Sequence, residues 1–462
     1  MSRRLWLGVA MWALPALAAA QPPAMPLTLD QALSYAVEHH PGLAAAREDS
    51  NERAAGVSVA EASAWPRFDA IWQSNAATVN NVFGQLLPQS IVPPISGPVL
   101  VSASGTGVWS SAAGGLLTWE PIDLGSRGAS IRVAETSAQR ARATEALTRL
   151  ELQQRAASRF LQAAAAALAV DVAEADAARR EVLVGAVRAL VDNQLRPGAE
   201  LSRAEAERAA ASTRLIQARE AAQLARIALA RAIGFDGDIR IDARGVTDRV
   251  AAPPPPGGAA SHPLTLLQNA SVDFARAKSD EVRTLLRPHV LFQASVSARG
   301  SGAEVTGEHD TGLGGLALDR ANWAGGVQIV FPNLFDWHAQ HARASSAEAA
   351  IRAAAARRDD AALELNAEQR IAAARLAAAR AIAANTPIQL AAAQQTESQS
   401  RARYDAGLAN VIEIADAQNL LAASEYEDRV ARIKTWQALL DRAVAQGDLV
   451  DFLGAVRGAA AP

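Results

Sequence analysis

Cysteine is absent from the 462-residue chain. That excludes disulfides, thiolate metal sites, cysteine nucleophiles and a lipidated N-terminal cysteine. Lysine is nearly absent: Lys278 and Lys434 stand alone among 45 basic residues, and the net charge is −3. No basic stripe is available to neutralise a phosphate backbone, so no nucleic acid partner is expected. Aromatic residues make up only 5% of the chain, whereas half of it is nominally hydrophobic, with alanine the largest share. The length would suit about three domains of ~150 residues, but cores built from alanine are thin and draw helices close together. Past residue 20 no uncharged apolar stretch reaches the roughly 20 residues that a helix needs to cross hydrocarbon, so a mature chain embedded in a membrane would have to be a β-barrel. Catalytic signatures are missing too. There is no serine-hydrolase elbow and no phosphate-binding lysine motif. Gly312, Gly314 and Gly315 lack a strand-to-helix setting, and His338 and His341 lack a third ligand. No enzyme activity, cofactor or metal is expected.

What is present begins with a leader. Ser2-Arg3-Arg4 is basic, Leu5 to Leu17 is apolar and Ala18-Ala19-Ala20 is small. This order reads as a secretory signal peptide over 1–20, too short to span as an anchor.

The remainder is one pattern written twice. His40-Pro41 recurs as His262-Pro263, and Pro66 recurs as Pro288. Trp119-Glu120-Pro121-Ile122-Asp123-Leu124 recurs as Val330-Phe331-Pro332-Asn333-Leu334-Phe335-Asp336, and Glu200-Leu201 with Ala204 recurs as Glu413-Ile414 with Ala417. The expected organisation is a first repeat over 21–250, a Pro/Gly-rich linker over 251–262, a second repeat over 263–450 and a flexible tail over 451–462.

Each repeat has the order short helix, strand, loop, strand, long helix, turn, long helix. Strands are expected near 67–78, 105–119, 289–299 and 322–331. Val290, Phe292, Ala294, Val296 and Ala298 alternate with Leu291, Gln293, Ser295 and Ser297, a period of two. An apolar face with aromatics at its ends suits lipid and its interfaces, or else the half-buried face of a soluble hairpin. Strong helix formers free of proline predict a helix over about 126–193, near 100 Å long at ~1.5 Å per residue. Its partner is expected over 200–233, and the second pair over 337–404 and 411–445. Such lengths read as antiparallel coiled-coil hairpins. Four strands cannot close a barrel, because the smallest single-chain outer-membrane barrels have eight, so a spanning chain must oligomerise. The connections Asn80 to Ser104 and Ser301 to Arg320 would then be the external loops.

Together, the leader, the repeat, Leu27-Thr28-Leu29-Asp30-Gln31-Ala32-Leu33, Pro332-Asn333-Leu334-Phe335-Asp336 and the run Tyr404 to Gln418 resemble the TolC-type outer membrane efflux proteins. The resemblance implies a mixed α and β membrane fold. Three chains each give four strands to a twelve-stranded barrel, continued by an α-helical barrel in the periplasm. It implies the exit duct of a tripartite exporter, fed with small molecules by an inner-membrane pump through a periplasmic adaptor, or else the outlet of a type I protein secretion system. A periplasmic coiled-coil scaffold or adaptor is the reading from another class. Gly407 and Gly198 lie where helices reverse, which calls for a residue tolerant of positive φ. The resemblance makes Gly198, Gly407, Leu408 and Ala409 the adaptor-docking tips and makes Tyr404, Glu413 and Asp416 the periplasmic gate. The two acids, three apart, share one helix face and would form rings that favour cations. A solvated acidic face is the plain alternative. Where some members carry a basic residue to pair with these acids, this chain has Ala409.

Overall fold

The computed structural model describes residues 26–78, 105–251, 262–303, 308–332 and 335–460. The leader over 1–20, the whole of the connection 80–104, most of the linker 251–262, residues 304–307 of the connection 301–320 and Asn333-Leu334 lie outside them.

The first repeat comprises α1 (Leu29–His39), α2 (Pro41–Ala62), β1 (Arg67–Thr78), β2 (Gly107–Ile122), α3 (Ser126–Asp192), α4 (Gly198–Ile233) and α5 (Arg244–Thr247). The second comprises α6 (Pro263–Thr284), β3 (His289–Ser301), β4 (Arg320–Val330), α7 (Trp337–Asp405), α8 (Val411–Gln446) and α9 (Val450–Ala460). The repeats are not separate bodies. One compact unit holds Met1–Arg47, Thr144–Thr265 and Ala361–Pro462, and the other holds Glu48–Ala143 and Leu266–Asp360. The boundaries fall inside α2, α3, α6 and α7, so each repeat contributes to both units.

The second of these units carries the sheet, an antiparallel meander in the order β1-β2-β3-β4. Its register aligns the two-residue periods of all four strands. Phe68 faces Leu117, Trp119 faces Phe292, and Phe292 faces Val327; Gly115 faces Val296, and Val296 faces Trp323. Directly opposed residues share a face, so one side of the sheet is apolar across all four strands. The opposite side carries Gln73, Gln293, Ser295, Ser297 and Gln328. Gly115 serves a close approach: a Cβ there would meet the Phe68 ring at 2.7 Å, so the ring lies over the glycine.

Burial in this sheet is inverted relative to a soluble hairpin. Val296 is 69% exposed and its neighbour Ser297 only 9%, while Trp72 and Trp323 are 71% and 84% exposed. Around Ser111 and Gly300 the turn Leu313–Leu316 closes over the apolar side, with Ser111 Oγ donating to the Leu316 carbonyl at 2.9 Å.

In the other unit, α3 pairs with α4 through Arg219–Glu174 (2.8 Å), Arg214–Asp176 (3.0 Å), Arg208–Glu181 (3.4 Å) and Arg188–Glu205 (2.7 Å), an antiparallel ladder running toward their shared turn. α7 pairs with α8 in the same sense through Arg375–Asp441 (3.8 Å), Thr386–Asp428 (3.0 Å) and Gln389–Glu427 (2.8 Å). The core of this unit joins Leu33 of α1, Phe160 and Leu161 of α3, Leu229 and Ile233 of α4, and Trp436, Leu439 and Leu440 of α8, with Ala156, Ala157 and Ala164 wholly buried between them. α3 is the one helix among the described residues with an 18-residue window apolar enough to cross a membrane, and 44% of that window is buried in protein.

The expectation of a flexible tail over 451–462 is wrong for its larger part. α9 is helical, and Phe452 and Val456 are buried in this core, with the Phe452 ring 6.4 Å from that of Trp436 and edge-on to it. Phe452 and Val456 are four apart on a helix, which gives the segment an apolar stripe with somewhere to go. The duplication is visible in the packing as well. The Nδ1 atoms of His40 and His262 each accept the backbone N–H two residues on, at 3.0 and 3.1 Å. Both histidines lie against a left-handed glycine that ends the repeat's second long helix, Gly234 (φ +79°) and Gly447 (φ +83°).

Candidate functional site

The two helical turns of the first unit form one small assembly. α7 ends in a Schellman cap: Leu408 N–H donates to the Arg403 carbonyl (2.8 Å) and Gly407 N–H to that of Tyr404 (3.0 Å), with Gly407 at φ +72°. α3 ends the same way through Leu195 to Leu190 (2.8 Å) and Gln194 to Val191 (2.9 Å), but the left-handed residue is Gln194, φ +59°. This corrects the role expected of Gly198, which is the first residue of α4 behind its N-cap Pro197. The positive φ is needed at the end of the first helix, four residues earlier. Asn410 caps α8, its Oδ1 accepting from the N–H groups of Ile412 and Glu413 at 3.0 and 3.1 Å.

The expected gate residues separate into different environments. Tyr404 is buried with Leu183, Val184, Val187, Ala204, Ala409, Val411 and Ile414. Burial foremost, and the Glu200 carboxylate after it, pushes the Tyr404 phenol pKa up, so the side chain stays neutral. Glu413 is half-buried and pairs with Arg403, Nε to Oε1 at 3.0 Å. Asp416 is exposed. Among the tip residues, Leu408 is exposed and a Cβ on Gly407 or Gly198 would meet open space, whereas Ala409 is buried.

Two arginines not singled out in the sequence tie the assembly together. Arg196, in the first turn, donates from Nη2 to the Ala409 carbonyl (3.2 Å), lies 5.0 Å from the Tyr404 ring centroid and pairs with Glu200 at 3.5 Å. It thus bridges the α3–α4 hairpin to the α7–α8 hairpin. Arg403 supplies from α7 the positive partner for Glu413 that Ala409 does not. Their signal was a pairing one. The antiparallel turn brings the residue before Tyr404 alongside the residue two after Val411.

Residues 260–449 match the outer membrane efflux protein family. The second half of the chain is thus similar in sequence to that family, and the whole chain shares the fold of solved outer membrane channels. Solved structures with this fold include the outer membrane protein VceC of Vibrio cholerae (TM-score 0.71, 17% identity, 91% of this chain and 96% of that one). The CmeC outer membrane channel of Campylobacter jejuni matches at TM-score 0.74 and 14% identity, covering 91% and 85%. The MtrE outer membrane channel of Neisseria gonorrhoeae, solved in its open state, matches at 0.72 and 19%, covering 91% and 89%. Among curated proteins, none matches significantly by sequence.

Proposed function

We propose that this chain is the protomer of a homotrimeric outer-membrane exit duct. It conducts small molecules passively from an inner-membrane pump and a periplasmic adaptor to the exterior. The inverted sheet carries the reading. A face that exposes Trp72, Val296 and Trp323 while burying Ser297 is unstable against water and suited to lipid. Among the described residues β1 and β4 each lack a neighbour on one side, and unpaired backbone groups cost several kcal/mol each in hydrocarbon. The four strands, 11 to 16 residues long, are long enough for the ~9–11 residues that a tilted barrel strand needs. Joining β4 of one copy to β1 of the next removes both edges. The likeness to the TolC type supports three copies. The leader over 1–20 would deliver the chain across the inner membrane.

The gate is the tip assembly, held by Arg196 against Tyr404 and Ala409 and opened when an adaptor seated on Gly407 and Leu408 favours the released arrangement. Conduction needs no cofactor and no chemistry in this chain, so the pump supplies the energy. In planar bilayers the purified protein is expected to give small, cation-preferring currents. Replacing Glu413 and Asp416 by alanine should lower that preference or raise the leak; unchanged current and selectivity would remove the acids from the gate. A bulky charged residue at Gly407 should abolish export while the trimer stays in the membrane.

A further inference from the structure

The polar side of the sheet is unevenly charged along its strands. At the ends of β1 and β3 that follow α2 and α6, Asp69 is held by Arg67 at 3.0 Å and Glu120 by His289 at 2.9 Å. Toward the connections 80–104 and 301–320 the register sets out rows that cross all four strands. One row is Ile71, Gly114, Ser297 and Asn322, and the next is Gln73, Ala112, Arg299 and Arg320. That second row holds two guanidinium groups and no carboxylate.

Arg299 and Arg320 stand directly opposite one another, and like charges so placed destabilise a strand pair. The row does not offset this cost, since Gln73 Oε1 is buried and accepts no hydrogen bond. Arg320 is engaged, whereas the half-buried Arg299 makes no side-chain ion pair or hydrogen bond among the described residues. Of the acids around the connection, Asp310 accepts from the Gly312 N–H at 2.8 Å, and Glu308 and Asp319 are exposed. An arginine on the apolar side could reach lipid phosphates. Arg299 instead shares its side with Gln293, Ser295 and Ser297, the side that lines the interior once several copies close a barrel.

We propose that Arg299, flanked by Arg320 and repeated in each copy, forms an anion-selecting ring inside the barrel. It suits the duct to small organic anions bearing carboxylate or phosphate groups, which guanidinium binds in bidentate fashion. This rests on the duct reading above. The ring is opposite in sign to Glu413 and Asp416, so the two sets of charges compete in setting ion preference.

Reversal potentials in planar bilayers under a potassium chloride gradient read that sign. The full-length protein with Glu413 and Asp416 replaced by alanine, which removes the competing acids, is compared with the same protein carrying Arg299→Gln or Arg299→Lys. The native mass of each verifies its assembly. The ring is supported if, at about 0.1 M salt, Arg299→Gln moves the permeability ratio from chloride toward potassium by roughly tenfold and Arg299→Lys leaves it in place. The shift should shrink at about 1 M salt, where the screening length falls from ~10 Å to ~3 Å. An unchanged ratio with Arg299→Gln, or equal shifts with glutamine and lysine, overturns the ring and leaves the duct standing. If none of the proteins assembles or passes current, the duct reading fails and the ring fails with it.

Discussion

Arg196 and Arg403 both contact the tip, but the structure ranks them very differently. The Arg403–Glu413 pair has side chains 56% and 40% exposed, and exposed ion pairs contribute ~0.2–1 kcal/mol. Its loss should change the ratio of open to closed tips by no more than about fivefold. Arg196 is 20% exposed. It gives a charge-assisted hydrogen bond to the Ala409 carbonyl, worth ~1.5–3 kcal/mol, and a cation–π contact to Tyr404, worth ~0.5–1 kcal/mol. Both contacts cross from one hairpin to the other. Arg196→Ala should therefore favour the open tip by about 2–4 kcal/mol per protomer, roughly 30- to 800-fold. Single-channel recording reads this as open probability, with Arg196→Ala far above Arg403→Ala and both above the unmodified protein. An Arg403→Ala effect as large as that of Arg196→Ala would refute the latch, because it would place the closing energy in an exposed pair that joins α7 only to its own partner helix.

Three further outcomes follow from other parts of the molecule. Val296→Arg, on the apolar side of the central strand β3, should cost up to ~2–4 kcal/mol in the membrane and deplete the outer-membrane fraction, whereas Gln293→Arg on the opposite side should leave it unchanged. Burial foremost, and Arg155 after it, lower the His40 pKa, so the unfolded chain binds the extra proton. Stability is full above the ordinary histidine pKa near 6.5 and falls as pH drops through it toward the lower folded value. His40→Asn should flatten that part of the denaturation-against-pH curve. Gly185, inside α3 with open space around its Cβ position, should accept alanine with a gain of ~0.5–1 kcal/mol in chemical denaturation.

Much of this architecture is legible in the residue order because its signals are local. Proline-free runs of alanine, leucine, arginine and glutamate lead to α3 and α7, and the alternation from Val290 to Ala298 leads to β3. Other features depended on partners that a linear reading does not supply. α9 reads as a tail in the sequence because its 11 residues carry little periodic signal without the contact of Phe452 with Trp436. Gly198 drew the positive φ by residue type, although the Schellman geometry needed it at Gln194, whose side chain gives no hint. Tyr404 looked like a constriction, yet the turn directs it into a cluster with Val184, Val187 and Ile414. Arg196 escaped notice because its carbonyl partner at Ala409 is 213 residues away.

The central claim, a lipid-embedded channel closed from several copies, is tested most directly by one preparation. The envelope of cells producing the full chain is fractionated, the outer membrane is extracted with detergent, and the native mass of the protein is measured. The account requires the protein in the outer-membrane fraction at three times the protomer mass, as the open edges of β1 and β4 demand a closed ring. A soluble periplasmic monomer would contradict it: the exposed face of Trp72, Val296 and Trp323 would then meet water rather than lipid, and a coiled-coil adaptor or scaffold would replace the duct.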